Sequence, residues 1–260
     1  MASLPTEGPV RVEPMEEGAY WRLVLGGSKG NIIDMAMTEA LTDTFRKAGK
    51  TPELKAVCFE GEGRHFSFGA SVAEHMPAEV GKMLPAFHEL FRTMLASSVV
   101  TLAAVRGQCL GGALELVSFA NRVFASEDAK LGQPEIVLGV FAPVASVILT
   151  ERVGRGAAED LCLSGRSVSA EDAHRMGLVD EIASDPGEAA LAYAKQNLLG
   201  HSAASLRYAV KAARVGLASR LTTELAEVER IYLEELMSTQ DAAEGIKAFM
   251  EKRKPEWKNQ

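Results

Sequence analysis

An apolar run followed by three closely spaced glycines constrains this chain most strongly. Residues 99–105 are almost entirely apolar, which predicts a buried strand. Gly107, Gly111 and Gly112 follow it, and glycine allows a tight turn in which the backbone approaches a ligand closely. The apolar residues 113–120 then predict a buried helix behind the turn. A strand, a glycine turn and a helix in this order are typical of an α/β protein.

Two glutamates accompany this turn. Glu115 lies in the first turn of the predicted helix among apolar neighbours, and a carboxylate in such a setting must be paired, protonated or functional. Glu135 follows in a Gly-Gln-Pro-Glu turn. Two carboxylates near a helix N-terminus with free N–H groups suit acid–base work beside an oxyanion hole. The residues alone leave a structural alternative open, because Glu115 can serve the helix dipole and Glu135 can be a solvated turn residue.

The charge and the cysteine content argue against several classes of function. A net charge of −7 argues against a nucleic-acid surface, which is usually basic. Cys58, Cys109 and Cys162 lack metal-ligand spacing, and the chain has no Walker loop or zinc motif, so we expect no metal site. An odd number of cysteines without a visible secretion signal predicts reduced thiols in the cytoplasm. No apolar run is long enough to span a membrane.

Hydrophobic periodicity divides the chain into an α/β part and a helical part. Strands are predicted at 11–12, 20–25, 54–59, 99–105, 122–125 and 178–182. Helices are predicted at 35–48, 81–96, 113–120, 144–153, 156–163, 170–176, 188–199, 204–215, 221–237 and 242–252. Alternating strands and helices predict right-handed βαβ units, and helices alone follow them. We therefore expect a core domain over residues 1–185 and a helical C-terminal region over residues 186–260.

Two further sequence features, a glycine-rich loop and a histidine, do not predict ligand binding. The glycine-rich loop at 26–30 lacks the Gly-Lys-Ser/Thr ending of a nucleotide P-loop, so nucleotide binding there is not predicted. His88 lies on the amphipathic helix at 81–96, and we expect it to be a packing or surface residue and not a ligand.

Four motifs resemble the enoyl-CoA hydratase, or crotonase, superfamily, and the similarity extends over nearly the whole chain. They are Phe-Ser-Phe-Gly-Ala at 66–70, Gly-Gln-Cys-Leu-Gly-Gly-Ala-Leu-Glu at 107–115, Gly-Gln-Pro-Glu-Ile at 132–136 and Phe-Met-Glu-Lys-Arg at 249–253. The resemblance implies the α/β crotonase (ClpP-like) fold of repeated ββα units, with a helical C-terminal region that covers the site and builds a trimer. It also implies an acyl-CoA substrate and no separate cofactor, because coenzyme A is part of the substrate.

The resemblance assigns roles to the residues around the glycine turn. Glu115 and Glu135 would hold one water between them as an acid–base pair. The backbone N–H groups of Ala70 and Gly112 would form the oxyanion hole for the thioester oxygen. Because both carboxylates are retained, hydration or dehydration is favoured over double-bond isomerisation alone.

Other residues would contact the coenzyme A part of the substrate. The backbone around Phe68 and Val72 would line its path, although Phe68 stands where the family usually has a small residue. Lys29 would pair with a phosphate, and a solvated loop lysine is its alternative. Phe249 and Lys252 would reach the adenine and phosphates in a neighbouring subunit, whereas on composition alone Lys252 belongs to a solvated helix end.

The detail resembles the cyclohexa-1,5-diene-1-carbonyl-CoA hydratases of anaerobic benzoyl-CoA breakdown. The segment Ala-Pro-Val-Ala-Ser at 142–146 stands where common hydratases are glycine-rich, which suits a ring-shaped acyl group, and Phe141 with Pro143 belongs to the pattern that matches these cyclic hydratases. This resemblance predicts addition of water to the cyclic diene, giving 6-hydroxycyclohex-1-ene-1-carbonyl-CoA. A general short-chain enoyl-CoA hydratase or isomerase stays open, and an RNA-binding homologue without catalysis is disfavoured by the acidic charge. The expected assembly is a homotrimer or a homohexamer, with no nucleic acid or membrane as partner.

Overall fold

A six-stranded sheet lies at the centre of the structure, a computed structural model that describes residues 4–260. The strands are, in chain order, β1 (Val10–Met15), β2 (Tyr20–Leu25), β3 (Ala56–Gly61), β4 (Val100–Val105), β5 (Gln108–Leu110), β6 (Arg122–Ala125), β7 (Lys130–Gly132), β8 (Ser167–Ser169) and β9 (Glu181–Ile182). The central sheet has the order β1-β2-β3-β4-β6-β9, and its neighbours are parallel except for the hairpin of β1 and β2. Parallel neighbours need crossover connections, which helices supply in most cases here.

Ten α-helices follow the predicted order within the described residues. They are α1 (Met35–Gly49), α2 (Val80–Ser97), α3 (Gly112–Phe119), α4 (Pro143–Val153), α5 (Arg155–Ser164), α6 (Ala170–Arg175), α7 (Pro186–Asn197), α8 (Ala203–Ala213), α9 (Val215–Arg230) and α10 (Gln240–Met250). Local chemistry explains several starts. Asp34 accepts a hydrogen bond from the N–H of Met37 at the start of α1, and Pro143 occupies the first turn of α4, where its missing N–H costs nothing.

Three short strands form a second sheet that the sequence did not predict. β5 pairs with β7 in parallel and β7 pairs with β8 in the antiparallel sense. Each strand has only three residues, which is too short for an alternating pattern to predict a strand. A single bridge between Ser67 and Cys109 also ties the segment before Ala70 to β5. The small sheet therefore holds the glycine turn against the 66–70 segment.

Two predicted elements differ from the structure. The strand expected at 178–182 is confined to Glu181–Ile182, because the N–H groups of Leu178 and Val179 both bond to the carbonyl of Ala173 and form a turn. The helix expected at 221–237 begins at Val215 and does not continue as an α-helix to its end. It passes into a π-helical turn at Ile231–Glu235 and then a 3₁₀ turn at Leu236–Ser238.

The sheet is apolar on both faces, as expected for a parallel sheet. The larger core contains Leu23, Phe59 and the helices α1 to α4. The smaller core contains Tyr20 and Cys58 on the other face, where α7 packs. Although α7 lies in the predicted C-terminal region, it covers the sheet.

The last helices pack on neighbours of the glycine turn, among them the turn that carries Glu135. α9 contacts α2 and α4, and α10 contacts the 3₁₀ turns at Val72–His75 and Pro134–Leu138. His88 is fully buried on α2, and its Nδ1 lies 2.5 Å from Glu229 on α9. Burial lowers the pKa of His88 to about 4 although Glu229 opposes that change, so the neutral histidine is the packing residue that was predicted. None of the helices within residues 4–260 has both the length and the apolar character needed to cross a bilayer.

Candidate active site

An apolar cavity of about 530 Å³ opens beside the glycine turn. It is lined by Ile32, Phe68, Ala70, Ser71, Val72, His75, Leu110, Gly111, Pro134, Glu135, Val137, Leu138, Val140 and Phe249. All of them but Ile32 and Val140 come from the 66–75 segment, the glycine turn with Leu110, the Pro134–Leu138 turn and α10. A pocket of this size with few polar groups among apolar walls is typical of a small-molecule site.

Glycine is required on both sides of this cavity. Gly69 and Gly111 have φ angles of +94° and +55°, which favour glycine. A Cβ atom on Gly69 would lie 2.5 Å from the carbonyl oxygen of Leu110, and one on Gly111 would lie 2.6 Å from Oε1 of Glu135. The missing side chains thus let the two loops and the Glu135 carboxylate approach one another.

The backbone N–H groups of Ala70 and Gly112 lie side by side at this contact. A Cβ atom on Gly112 would be 3.3 Å from the amide nitrogen of Ala70, and one on Gly69 would be 3.4 Å from that of Gly112. Neither N–H donates to a backbone carbonyl or side chain within residues 4–260. Two unpaired neighbouring N–H groups at the start of α3 are the arrangement that binds a developing oxyanion.

Glu115 is buried on α3 and accepts hydrogen bonds from the start of another helix. The N–H of Ala145 donates to its Oε1 at 2.8 Å, and the N–H of Val144 also supports the charged carboxylate. The N-cap residue of α4 is Ala142, whose methyl side chain cannot accept a hydrogen bond. Glu115 on α3 takes this role and accepts the bonds from the start of α4. The predicted role as a helix-dipole partner is thus found, but for α4 and not for its own helix.

Glu135 lies on the Pro134–Leu138 turn and faces the cavity. Part of the residue reaches the cavity surface, but its Oε2 atom is buried and has no hydrogen-bond partner among the described residues. The alternative of a solvated turn residue is therefore wrong for this carboxylate. An unpaired buried carboxyl oxygen is costly, which makes it a candidate for contact with a ligand.

The two carboxyl groups have raised pKa values for related reasons. Burial raises the pKa of Glu115 to about 7, and the N–H donors of Ala145 and Val144 oppose that rise. Burial and, next, the charge of Glu115 raise the pKa of Glu135 to about 8. The pair therefore holds at least one proton near neutral pH, and the N–H donors favour the negative charge on Glu115. One carboxylate and one carboxylic acid can act as base and acid together.

The structure brings most of the other predicted residues to the mouth of the cavity or behind it. Phe68, Val72 and Phe249 line the cavity, and Phe249 does so within its own chain, whereas the sequence predicted contact with a neighbouring subunit. Phe141 is half-buried, and Pro143 is buried at the start of α4, behind Glu115.

The two predicted lysines are exposed and do not line the cavity. Lys29 precedes Gly30, whose carbonyl accepts a hydrogen bond from the N–H of Phe68 at 3.0 Å. Lys252 follows α10, and its N–H donates to the carbonyl of Phe249 at 3.1 Å. The backbone of each lysine or of its neighbour is thus bonded to an aromatic residue of the cavity.

Sequence reasoning missed Tyr232 and His75. His75 lines the cavity, and Tyr232 lies on the π-helical turn with its ring edge against Phe141 at a centroid distance of 5.1 Å. His75 adjoins the 66–72 segment and could have been suspected, whereas nothing in the helical pattern around Tyr232 marks it. Within the described part of the chain, no three His, Cys, Asp or Glu side chains are grouped so that they could hold a metal ion.

Comparisons with known proteins agree with this geometry. A family model described as "Enoyl-CoA hydratase/isomerase" matches residues 27–260. The chain is 50% identical over 251 residues to the cyclohexa-1,5-dienecarbonyl-CoA hydratase of Thauera aromatica, covering 96% of this chain and 97% of that protein. It is 31% identical to the 2,3-dehydroadipyl-CoA hydratase of Escherichia coli, covering 88% and 90% of the two chains.

Solved structures share the fold. The enoyl-CoA hydratase/isomerase of Pseudoalteromonas atlantica superimposes with a TM-score of 0.85 at 22% identity, covering 96% of this chain and all of that one. An enoyl-CoA hydratase of Mycobacterium avium gives 0.84 at 23% identity, covering 97% and 99%. These similarities confirm the fold predicted from the sequence.

Proposed function

The chain belongs to the enoyl-CoA hydratase/isomerase family, and from that premise we propose that it is a hydro-lyase that adds water to cyclohexa-1,5-diene-1-carbonyl-CoA. The product is 6-hydroxycyclohex-1-ene-1-carbonyl-CoA, which is an intermediate of anaerobic benzoyl-CoA degradation. The substrate assignment rests on the 50% identity to the Thauera aromatica hydratase over nearly the full length of both chains.

One observation carries the hydratase proposal. Glu135 and Ala70 line one apolar cavity, the charge of the buried Glu115 acts on Glu135, both carboxyl groups have raised pKa values, and the unpaired N–H groups of Ala70 and Gly112 lie close together. Hydration of an enoyl thioester needs a base for water, an acid for carbon and donors for the thioester oxygen. Glu115 and Glu135 supply the first two, and Ala70 and Gly112 supply the third.

The proposed reaction is a 1,4-addition in which every atom is accounted for. Glu115, whose charge Ala145 supports, removes a proton from water while the water oxygen bonds to ring carbon C2. The electron pair of the C1–C2 double bond moves toward the thioester oxygen, where the N–H groups of Ala70 and Gly112 stabilise it. Charge also reaches C5 through C6, and the carboxylic acid Glu135 gives its proton to C5. This leaves the water proton on Glu115 and Glu135 as a carboxylate, and transfer of that proton from Glu115 to Glu135 restores the pair. No cofactor is needed, since the added hydroxyl and proton then both come from water.

The coenzyme A moiety is proposed to leave the cavity past its aromatic mouth. Phe68 and Phe249 are exposed there despite being large apolar side chains, which suits contact with pantetheine or adenine. Lys29 and Lys252 are exposed and would pair with phosphates. Val72 would line the pantetheine path, and Phe141 and Pro143 would shape the acyl end from behind Glu115.

Assembly, domain division and location complete the proposal. We propose a homotrimer or a homohexamer, in which residues 1–185 form the crotonase core and residues 186–260 the region that covers the site and joins subunits. A cytoplasmic location is proposed because Cys58, Cys109 and Cys162 are unpaired thiols, as reducing compartments maintain them.

The test is direct incubation with thioesters in deuterium oxide. Cyclohexa-1,5-diene-1-carbonyl-CoA and crotonyl-CoA are supplied separately, and products are identified by mass spectrometry and NMR. The proposal predicts hydration of the cyclic diene with deuterium at the former C5. Deuterium at C1 would refute the 1,4-route. Fast hydration of crotonyl-CoA with an untouched cyclic diene would instead make the chain a short-chain enoyl-CoA hydratase.

A further inference from the structure

Tyr232 carries a buried hydroxyl group that no protein atom satisfies. The residue is fully buried, and its O–H has no hydrogen-bond partner within residues 4–260. Burying a hydroxyl without a hydrogen bond costs about 1–3 kcal/mol in proteins. Most buried polar groups are therefore satisfied, and an exception needs an explanation. Among the described residues the hydroxyl of Tyr20 is also buried without a partner, but Tyr20 lies in the core on the other face of the sheet, whereas Tyr232 packs on Phe141.

The position of this hydroxyl points to the reaction site. Burial raises the pKa of Tyr232 strongly, and the charges of Glu135 and Glu115 raise it further, so the phenol lies in the electrostatic field of both carboxyl groups. It stays protonated at any working pH and can donate a hydrogen bond but cannot act as a base.

The ring of Tyr232 is held in place by its surroundings. Its edge packs on Phe141 with an angle of 67° between the rings, and its backbone belongs to the π-helical turn at Ile231–Glu235. π-helical turns are rare in proteins, and those that occur are frequently found at functional sites. The turn that follows α9 thus holds an unpaired hydrogen-bond donor in a fixed position.

We propose that Tyr232 is a substrate-contacting residue whose O–H donates a hydrogen bond to the oxygen that is added to, or lost from, the acyl ring. The same oxygen would contact the unpaired Oε2 of Glu135, so that one ligand oxygen satisfies two buried groups. This assignment rests on the proposed hydratase function. It gives the water a fixed position between the carboxyl pair and the ring, which proton transfer alone would not provide.

The first test is the substitution Tyr232→Phe, which keeps the ring packing on Phe141 and removes only the hydroxyl. We expect kcat for hydration to fall roughly 10- to 100-fold, as for loss of one hydrogen bond to a reacting group, while the melting temperature of the free protein stays equal or rises. A hydroxyl with a structural role alone would lower the melting temperature instead. Tyr20→Phe is the matched control, because Tyr20 is also a buried tyrosine but lies in the core on the other face of the sheet. Its kcat is expected to stay within twofold of the wild-type value.

A second measurement is made on the wild-type protein. The chain has four tyrosines, so labelling with [ζ-¹³C]tyrosine gives four signals, and the two variants identify those of Tyr232 and Tyr20. Addition of the hydroxylated product is expected to move the Tyr232 signal and to leave that of Tyr20 unchanged. An unmoved Tyr232 signal, or a Tyr232→Phe variant with kcat within twofold of wild type, would overturn the proposal.

The two proposals can fail separately. A wild-type protein that hydrates crotonyl-CoA but not the cyclic diene loses its substrate assignment, and Tyr232 is then tested on crotonyl-CoA with its product. A wild-type protein that hydrates neither thioester refutes the hydratase function before any variant is compared, and the Tyr232 assignment falls with it.

Discussion

At the scale of single residues, the two glutamates of the cavity differ in what supports their charge. Glu115 accepts hydrogen bonds from the first N–H groups of α4, whereas Oε2 of Glu135 has no partner among the described residues. N–H donors and a helix N-terminus both stabilise an anion. The asymmetry favours Glu115 as the base and Glu135 as the acid, a division that the sequence pattern left undecided.

Replacing either glutamate by glutamine should abolish most of the turnover. Glu115→Gln removes the base and Glu135→Gln removes the acid, and we expect kcat to fall about 10²- to 10⁴-fold for each, the usual range for general acid–base catalysis. Binding of the thioester should persist, since glutamine keeps the shape of the side chain. Steady-state kinetics and equilibrium titration with product separate the two effects.

Glu60→Gln supplies the control for this pair. Glu60 is also a buried glutamate, but it pairs with Arg22 at 2.8 Å on the central sheet. Its replacement should leave kcat within about twofold of wild type while lowering the melting temperature, because the Arg22 side chain loses a partner. Near-normal hydration by Glu115→Gln would contradict the assignment of the base.

The raised pKa values also predict a pH-dependent gain in stability for Glu135→Gln. The unfolded chain loses this proton near pH 4.5, but the folded chain retains it to about pH 8, so the stability of the wild-type protein falls as pH rises through this window. Glutamine does not titrate, so the stability of the variant does not fall in this way as pH rises. At about 1.4 kcal/mol per pKa unit, the advantage of the variant should reach a few kcal/mol at pH 8. Melting temperatures measured from pH 5 to pH 8 check this, and a difference that stays constant or shrinks would contradict it.

At the scale of elements, long periodic segments could be predicted and short or irregular ones could not. The amphipathic helices α1, α2 and α10 and the apolar strand β4 each bury one continuous pattern, which the sequence displays. The three-residue strands of the second sheet and the π-helical turn at Ile231–Glu235 depend on tertiary pairing. Tyr232 was missed for that reason, since its proximity to the carboxyl pair exists only after α9 has packed on α4.

The site was predictable to the extent that one local element carries it. The glycine turn and the first turn of α3 supply Gly112 and Glu115 within a few residues, and physical reasoning on that stretch alone identified a candidate acid–base site. The pairing of Glu115 with the start of α4 needed the structure, because it joins residues thirty positions apart. The position of Phe249 in its own chain's cavity likewise follows from how α10 packs.

The glycine turn itself gives a prediction at this scale. Gly111→Ala places a Cβ atom 2.6 Å from Oε1 of Glu135 in a backbone conformation that alanine resists. We expect a loss of stability of about 1–3 kcal/mol from the strained backbone and a fall in kcat of at least about tenfold, because Glu135 must move. Thermal unfolding and steady-state kinetics measure both effects.

Gly81→Ala is the matched control for the turn. Gly81 lies in α2, and a Cβ atom there would meet no heavy atom within 4 Å. The substitution should raise stability by about 0.5–1 kcal/mol through helix propensity and leave kcat unchanged. If Gly111→Ala behaved like Gly81→Ala, the close approach of the turn to Glu135 would not matter for activity.

At the scale of the whole molecule, one exposed apolar surface adjoins the active site from outside. Ile136, Val137 and Leu163 are 38%, 59% and 71% exposed, and they lie on the Pro134–Leu138 turn and on α5. The packing of Gly165 against the side chains of Ile136 and Val137 brings the end of α5 to that turn. We predict that this surface adds to the subunit contact proposed for residues 186–260, because exposed apolar surfaces favour contact with another protein and a symmetric homo-oligomer supplies a second copy of the chain.

This surface yields the prediction on assembly. Because the turn that carries Glu135 forms part of it, contact with another subunit would fix that turn and with it the acid of the carboxyl pair. Leu163→Asp introduces a charge at the most exposed apolar side chain of the surface, and desolvating that charge in an interface is costly. We expect the wild-type protein to be a trimer or a hexamer by light scattering and the variant to shift to smaller species with kcat lowered about tenfold or more. Leu163→Met should preserve both the size and the activity, since it keeps an apolar side chain of similar volume. A fully active wild-type monomer, or a Leu163→Asp variant of unchanged size, would exclude this surface as the subunit interface.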